Sequence, residues 1–141
     1  ALPALLLAVP TRATAWPRRV NHAGGIALRG FDTVAWHEEG RPRAGNPDIA
    51  AEWAGVTWHF ADRAHRDRFA ATPDAFAPRY GGFCAFGVAR GYKVDFDPDA
   101  WHIAQGRLYL NYDRGVQRQW LRDIAGNIAR AETNWPRLAD A

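Results

Sequence analysis

The sequence predicts an α+β domain: a small antiparallel sheet of short strands, helices packed on one side of it, and a helix pair closing the C-terminus. Three observations carry this. Asp32, Asp62 and Asp113 each stand where a helix would begin, with a side-chain oxygen ready for free backbone N–H groups. Two apolar-polar alternations turn back on themselves, one across Ala54-Gly55 and one across Gln105-Gly106, as hairpins do. Toward the C-terminus, Val116, Trp120, Leu121 and Ile124 recur at helical spacing.

The elements follow in order. Gly24-Gly25 precedes a short apolar strand, Ile26 to Leu28, and Arg29-Gly30 turns the chain. Asp32 caps a helix running to about Glu39, with Gly40 as its stop. Arg41 to Asp48, with Pro42, Gly45 and Pro47, reads as a loop. Ile49 to Trp53 and Val56 to Phe60 form the first hairpin, with Val56, Trp58 and Phe60 on one face. Asp62 caps a helix from Arg63 to Ala71, and Pro73 opens a further short turn through Phe76. Four glycines between Tyr80 and Gly91 exclude a plain helix there. Tyr92 to Phe96 reads as a strand, Asp97-Pro98-Asp99-Ala100 as a turn, and Trp101 to Ala104 with Arg107 to Asn111 as the second hairpin. The helix capped by Asp113 is expected to break at Gly126, with a last helix over Asn127 to Asn134.

The chain of 141 residues suits one domain with one modest core. Its apolar fraction of 48% and its 7 Trp exclude a disordered chain. Lys93 is the one lysine among 18 basic residues, and the net charge is +3. The arginines alternate with Asp and Glu, and no run of like charge is present to track a nucleic-acid backbone. Ala1 to Val9 is apolar and Leu-rich, and Ala13-Thr14-Ala15 supplies the small-x-small pattern of a signal-peptidase site. Residues 1–15 are therefore expected to be a signal-peptide remnant, residues 16–141 the single domain, and the mature chain periplasmic or otherwise exported. The apolar run is too short to span a bilayer, so no stable membrane span is expected after cleavage.

Cys84 is the only cysteine, set in Tyr80-Gly81-Gly82-Phe83-Cys84-Ala85-Phe86-Gly87. No internal disulfide is available, so this thiol is free and buried, joined to another chain, or bound to something. As a metal ligand it suits Cu(I) or Zn. As a nucleophile it needs a neighbouring base or cation, whereas its apolar neighbours raise its pKa. The plainest reading is a small buried hydrophobe. His65 precedes Phe69 by four residues on the Asp62-capped helix, so the two share a face and Phe69 draws His65 inward. His59, His102 and His37 read as surface residues. The absence of Met disfavours a high-capacity copper carrier. The many aromatics read first as the core of a small domain without disulfides, and second as the lining of a ligand pocket. Asp32 and Asp113 are best explained as caps, and Asp97 and Asp99 as turn formers around Pro98.

Several blocks occur together: Arg29-Gly30-Phe31-Asp32-Thr33-Val34-Ala35-Trp36, Trp58-His59-Phe60, Pro73-Asp74-Ala75-Phe76-Ala77-Pro78-Arg79-Tyr80-Gly81-Gly82-Phe83-Cys84-Ala85, Gly91-Tyr92-Lys93-Val94, Asp97-Pro98-Asp99-Ala100-Trp101 and Leu108-Tyr109-Leu110-Asn111-Tyr112. On these, residues 24 to 138 resemble the exported YHS-domain proteins of bacteria. The wider YHS and TRASH-like group includes metal-binding modules in which a strand ending in Phe-Cys is followed four residues later by a second Cys and then by a Phe. Laid on this chain, the first Cys falls on Ala61, the second on His65, and the Phe on Phe69. The resemblance implies a YHS-like scaffold whose inherited ligand pair has changed. The expected function is that of an exported, non-catalytic YHS-type module binding a soft metal ion, Cu or Zn, or a small ligand near Cys84 with His65. The alternatives are a structural or protein-interaction domain with an inert buried Cys84, and a thiol redox protein.

Overall fold

The computed structural model describes residues 19–141, so the expected signal remnant lies outside the described residues. The chain runs β1 (His22–Ala23), β2 (Ile26–Ala27), a 3-10 turn (Leu28–Gly30), α1 (Thr33–Glu38), β3 (Asn46–Trp53), β4 (Val56–Phe60), α2 (Arg63–Ala71), α3 (Pro73–Phe76), a second 3-10 turn (Arg79–Gly82), α4 (Ala85–Arg90), β5 (Trp101–Ala104), β6 (Arg107–Leu110), α5 (Arg114–Arg122) and α6 (Ile124–Leu138). The fold is α+β, and α5 and α6 form the C-terminal pair.

The caps behave as local chemistry dictates. Asp32 accepts from the N–H groups of Val34 and Ala35, Asp62 from that of His65, and Asp113 from that of Val116. Both hairpins turn through two left-handed residues. Ala54 (φ 53°) and Gly55 (φ 81°) join β3 to β4; Gln105 (φ 53°) and Gly106 (φ 75°) join β5 to β6. Such primed turns match the twist of the strands they connect.

The strands form two sheets. In the first the order is β1-β2-β4-β3, and in the second β5 pairs with β6 alone. All pairs are antiparallel except β2 with β4, which meet in parallel at Ile26 and Thr57. The long path through α1 and β3 between them supplies the crossover that a parallel pair requires.

β3 begins at Asn46, inside the expected loop, and three further stretches differ from expectation. Tyr92 to Phe96 has no regular secondary structure and belongs to no sheet. Its backbone is engaged locally instead: Tyr92 N–H donates to Gly87 O, and Val94 O accepts from Cys84 N–H. The Gly-rich centre contains a true helix, α4, which ends at Gly91 in the left-handed region (φ 99°). The C-terminal helices break at Asp123 rather than at Gly126. Asp123 leaves the helical region (φ −151°, ψ 69°), and its carboxylate caps α6 by accepting from Gly126 N–H. Further upstream, Gly81 is obligatory, because a Cβ there would collide with the carbonyl oxygen of Arg19.

Two apolar cores result. The first gathers Leu28, Val34, Trp36, Val56, Trp58, Phe60, Phe69, Phe96, Leu108 and Leu110. The second gathers Tyr80, Ala85, Val88, Tyr109, Trp120, Ala131 and Leu138. Successive side chains of a strand alternate between faces, so β6 sends Leu108 and Leu110 to one core and Tyr109 to the other. Trp36, Trp58 and Trp120 are fully buried, and each indole N–H has an acceptor: Pro98 O, Trp53 O and His102 Nδ1. These tryptophans are core, as the first of the two sequence readings has it.

Candidate functional site

The most connected buried polar group is Asp32, which has no exposed surface. One oxygen, Oδ1, takes Val34 N–H (2.9 Å) and Ala35 N–H (3.2 Å), as an N-cap does. The other, Oδ2, takes Ala61 N–H just after β4 (2.8 Å) and lies 2.7 Å from His65 Nδ1. A carboxylate only accepts, so the His65 hydrogen must sit on Nδ1. The imidazole is thereby fixed in orientation, with Nε2 directed away from Asp32.

His65 is 4% exposed, as its shared face with Phe69 predicts. It occupies the first turn of α2, where its own backbone N–H is the donor capped by Asp62 Oδ1 at 2.8 Å. Its Nε2 faces two carboxylates: Glu39 Oε2 at 3.4 Å and Asp62 Oδ2 at 4.0 Å. Glu39, Asp62 and His65 together offer three ligand atoms within 4.8 Å of one another. Asp62 is held below the ordinary carboxylate range, first by the His65 backbone N–H and then by the charges of His65, Arg43 and Arg68.

A guanidinium already stands in this group. Arg43 Nη1 is 2.7 Å from Glu39 Oε2 and 3.6 Å from Asp62 Oδ2, and Arg41 takes the other Glu39 oxygen at 2.9 Å. The loop that carries Arg43 is tied to the site by its own backbone, since Asp32 N–H donates to Arg43 O. The cluster thus sets three carboxylates and two guanidiniums around an oriented imidazole. Chemically it can exchange one cation for another, or move a proton at Nε2.

Cys84 stands elsewhere. It opens α4, whose residues Ala85, Val88 and Ala89 belong to the second core, whereas Phe69 of the His65 helix belongs to the first. The thiol is 1% exposed. Its sulfur accepts from Gly87 N–H at 3.4 Å and so caps α4, and its hydrogen points to Asn111 Oδ1 at 3.7 Å. Burial pushes the thiol pKa up, against the smaller opposing pull of the Gly87, Tyr112 and Phe86 backbone N–H groups. The partners of the Cys84 sulfur and those of the His65 ring have no member in common. The structure gathers carboxylates, not the thiol, around His65.

Among the remaining histidines, His102 is half-buried rather than a surface group, and it accepts the Trp120 indole N–H on Nδ1 at 3.3 Å. Burial lowers its pKa. His37 is likewise half-buried, packed edge-on against Phe76.

Sequence reasoning reached His65 but not its companions. Asp32 and Asp62 were legible as caps through one oxygen each, and the remaining oxygen of each faces His65. That pattern, a histidine in the first turn behind an aspartate cap, is a local signal for the Asp62 contact. Glu39 and Arg43 carry no such signal, because folding alone brings them to α2. Comparison with protein-family models, with curated proteins and with solved structures finds no match for this chain.

Proposed function

We propose that this chain is a non-catalytic, exported module of the YHS type that takes up a divalent metal ion at His65, with Glu39 and Asp62 as its carboxylate partners. The observation that carries this reading is the Asp32–His65 contact of 2.7 Å, which leaves Nε2 facing Glu39 and Asp62. A ligating histidine commonly donates its second N–H to a carboxylate in this way, which fixes the tautomer and raises ligand basicity. One nitrogen and two oxygens suit Zn(II) or a similar borderline ion, rather than the Cu(I) that a thiolate site would prefer. Cys84 is outside the proposed ligand set, being engaged at the start of α4. Uptake requires the Arg43 guanidinium to leave its place between the two carboxylates.

Calorimetric titration of the full chain with Zn(II) tests this. The expected result is saturable uptake, lost in His65→Ala, unchanged in Cys84→Ser, and tightened roughly tenfold in Arg43→Gln, where an opposing charge-assisted contact is gone. Absence of uptake by both the native chain and Arg43→Gln would end the proposal. The alternative, a protein-contact domain with inert Cys84, draws support from the thiol's burial and its capping role. The redox reading loses support from the same two facts, since a reactive thiol needs exposure and a lowered pKa.

A further inference from the structure

Away from His65, two clefts share a wall. One, of about 560 Å³, is lined by Asp74, Ala77, Arg79, Gln105, Gly106 and Arg107. The other, of about 300 Å³, continues from Asp74, Ala77 and Arg79 to Tyr80, Trp53 and Trp135. Two consecutive residues carry unmet donors, Arg79 of the shared wall and Tyr80 of the smaller cleft. Arg79 Nε and the Tyr80 hydroxyl are buried, and neither has a hydrogen-bond partner among the described residues. Tyr80 as a whole is 3% exposed. Buried polar groups nearly always find a partner, and a missing one commonly marks an absent water or ion.

The backbone that presents these donors is itself unusual. Tyr80 lies in the left-handed region (φ 56°, ψ 37°), followed by Gly81 (φ 66°). A bulky residue there is strained, and strain of this kind gathers at binding sites. The turn is held by two backbone bonds, Phe83 N–H to Tyr80 O and Asn21 N–H to Gly81 O. Across the larger cleft, Arg107 opens β6 with no carboxylate partner among the described residues. Arg79 has one, Glu132 at 3.2 Å, reached through Nη2. The lining therefore offers an uncommitted guanidinium at Arg107, and Arg79 and Tyr80 carry donors in excess of acceptors. Asp74 supplies the opposing charge in both linings.

We propose that the larger cleft binds a small oxyanion, a carboxylate or phosphate group carried on a small molecule, between Arg79 and Arg107. Guanidinium forks match both groups in shape and charge. The cleft volume falls in the range of about 300–1,000 Å³ typical of small-molecule sites, so it holds more than the anion alone. The adjoining Trp53, Tyr80 and Trp135 offer flat apolar surface to the remainder of such a molecule. This site shares no residue with the His65 cluster.

Titration of the full chain at low ionic strength, with inorganic phosphate and separately with acetate, tests the proposal. The expected result is saturable binding of at least one probe; the tighter of the two identifies the anionic group. Arg107→Gln, at an exposed position that leaves the fold intact, is expected to weaken that binding roughly tenfold, the loss of one charge-assisted contact. Arg122→Gln, an exposed arginine of α5, is expected to leave it unchanged and reports on general charge attraction. The proposal is overturned if neither probe saturates, or if Arg122→Gln weakens binding as much as Arg107→Gln does.

Discussion

At Asp32 a carboxylate with no solvent contact takes four donors, two on each oxygen. Those donors come from α1, from the residue after β4 and from α2, so one side chain joins three elements. Removing it strands all four. Asp32→Ala is expected to lower stability by about 3–5 kcal/mol, the usual consequence of breaking a buried charged network from one side. Urea unfolding measures this directly, and a loss below about 1 kcal/mol would mean that water reaches the stranded donors. The same residue marks the limit of what the sequence discloses. Its cap role rests on neighbours two and three positions away and was legible. Its bond to His65 spans 33 positions and depends on the fold. The candidate site was therefore visible in one residue out of five: His65 by its shared face with Phe69, but not Glu39, nor Arg43, nor the second oxygens of Asp32 and Asp62. Cys84 was conspicuous because it is alone, yet solitude in a sequence says nothing of position.

Among the elements, those that local chemistry defines were legible, and those that partners define were not. The helix of α2 and both hairpin turns follow from Asp caps and two-residue turns. Tyr92 to Phe96 has the composition of a strand, but its backbone bonds go to Gly87 O of α4, to the N–H of the cap residue Cys84 and to the Arg29 guanidinium, so no ladder forms. The join between α5 and α6 shows the same competition. Helical spacing runs unbroken through Ile124, whereas Asp123 has the chemistry of a cap, and the cap wins. Asn127 then completes the corner: buried at 3% exposure, its amide donates to Trp120 O at 3.0 Å and Gln119 O at 3.4 Å, satisfying carbonyls at the end of α5. Asn127→Ala is expected to cost about 1–3 kcal/mol, the penalty for leaving such acceptors without donors. Amide hydrogen exchange should show the loss concentrated at the α5–α6 corner; a uniform change across the molecule would count against this role.

For the molecule as a whole, burial of titratable groups defines a pH window. Burial lowers the pKa of His102, and the ring accepts from Trp120, which a protonated Nδ1 cannot do. The unfolded chain thus binds this proton first, and stability falls as pH drops below the ordinary histidine value of about 6.5. Burial raises the pKa of Cys84 and of Tyr80. For these the unfolded chain releases its proton first, so their contribution is complete below the unfolded values and is lost as pH rises, beginning near about 8.5 for the thiol. Melting temperature followed against pH should show a plateau between the two limits. Cys84→Ala is expected to move the onset of the alkaline decline toward tyrosine ionisation near about 10. An unmoved onset would show that the sulfur ionises as freely in the native chain as in the unfolded one.

The alternation along β6 has a consequence for how the molecule comes apart. Leucines at 108 and 110 and the tyrosine between them are anchored on opposite sides of one short ribbon, so neither half of the interior can open while the other keeps its lining. Sliding that ribbon by a single position would exchange its two faces and ruin both halves together. The three residues therefore act as a bolt through two plates, and melting should proceed as one event.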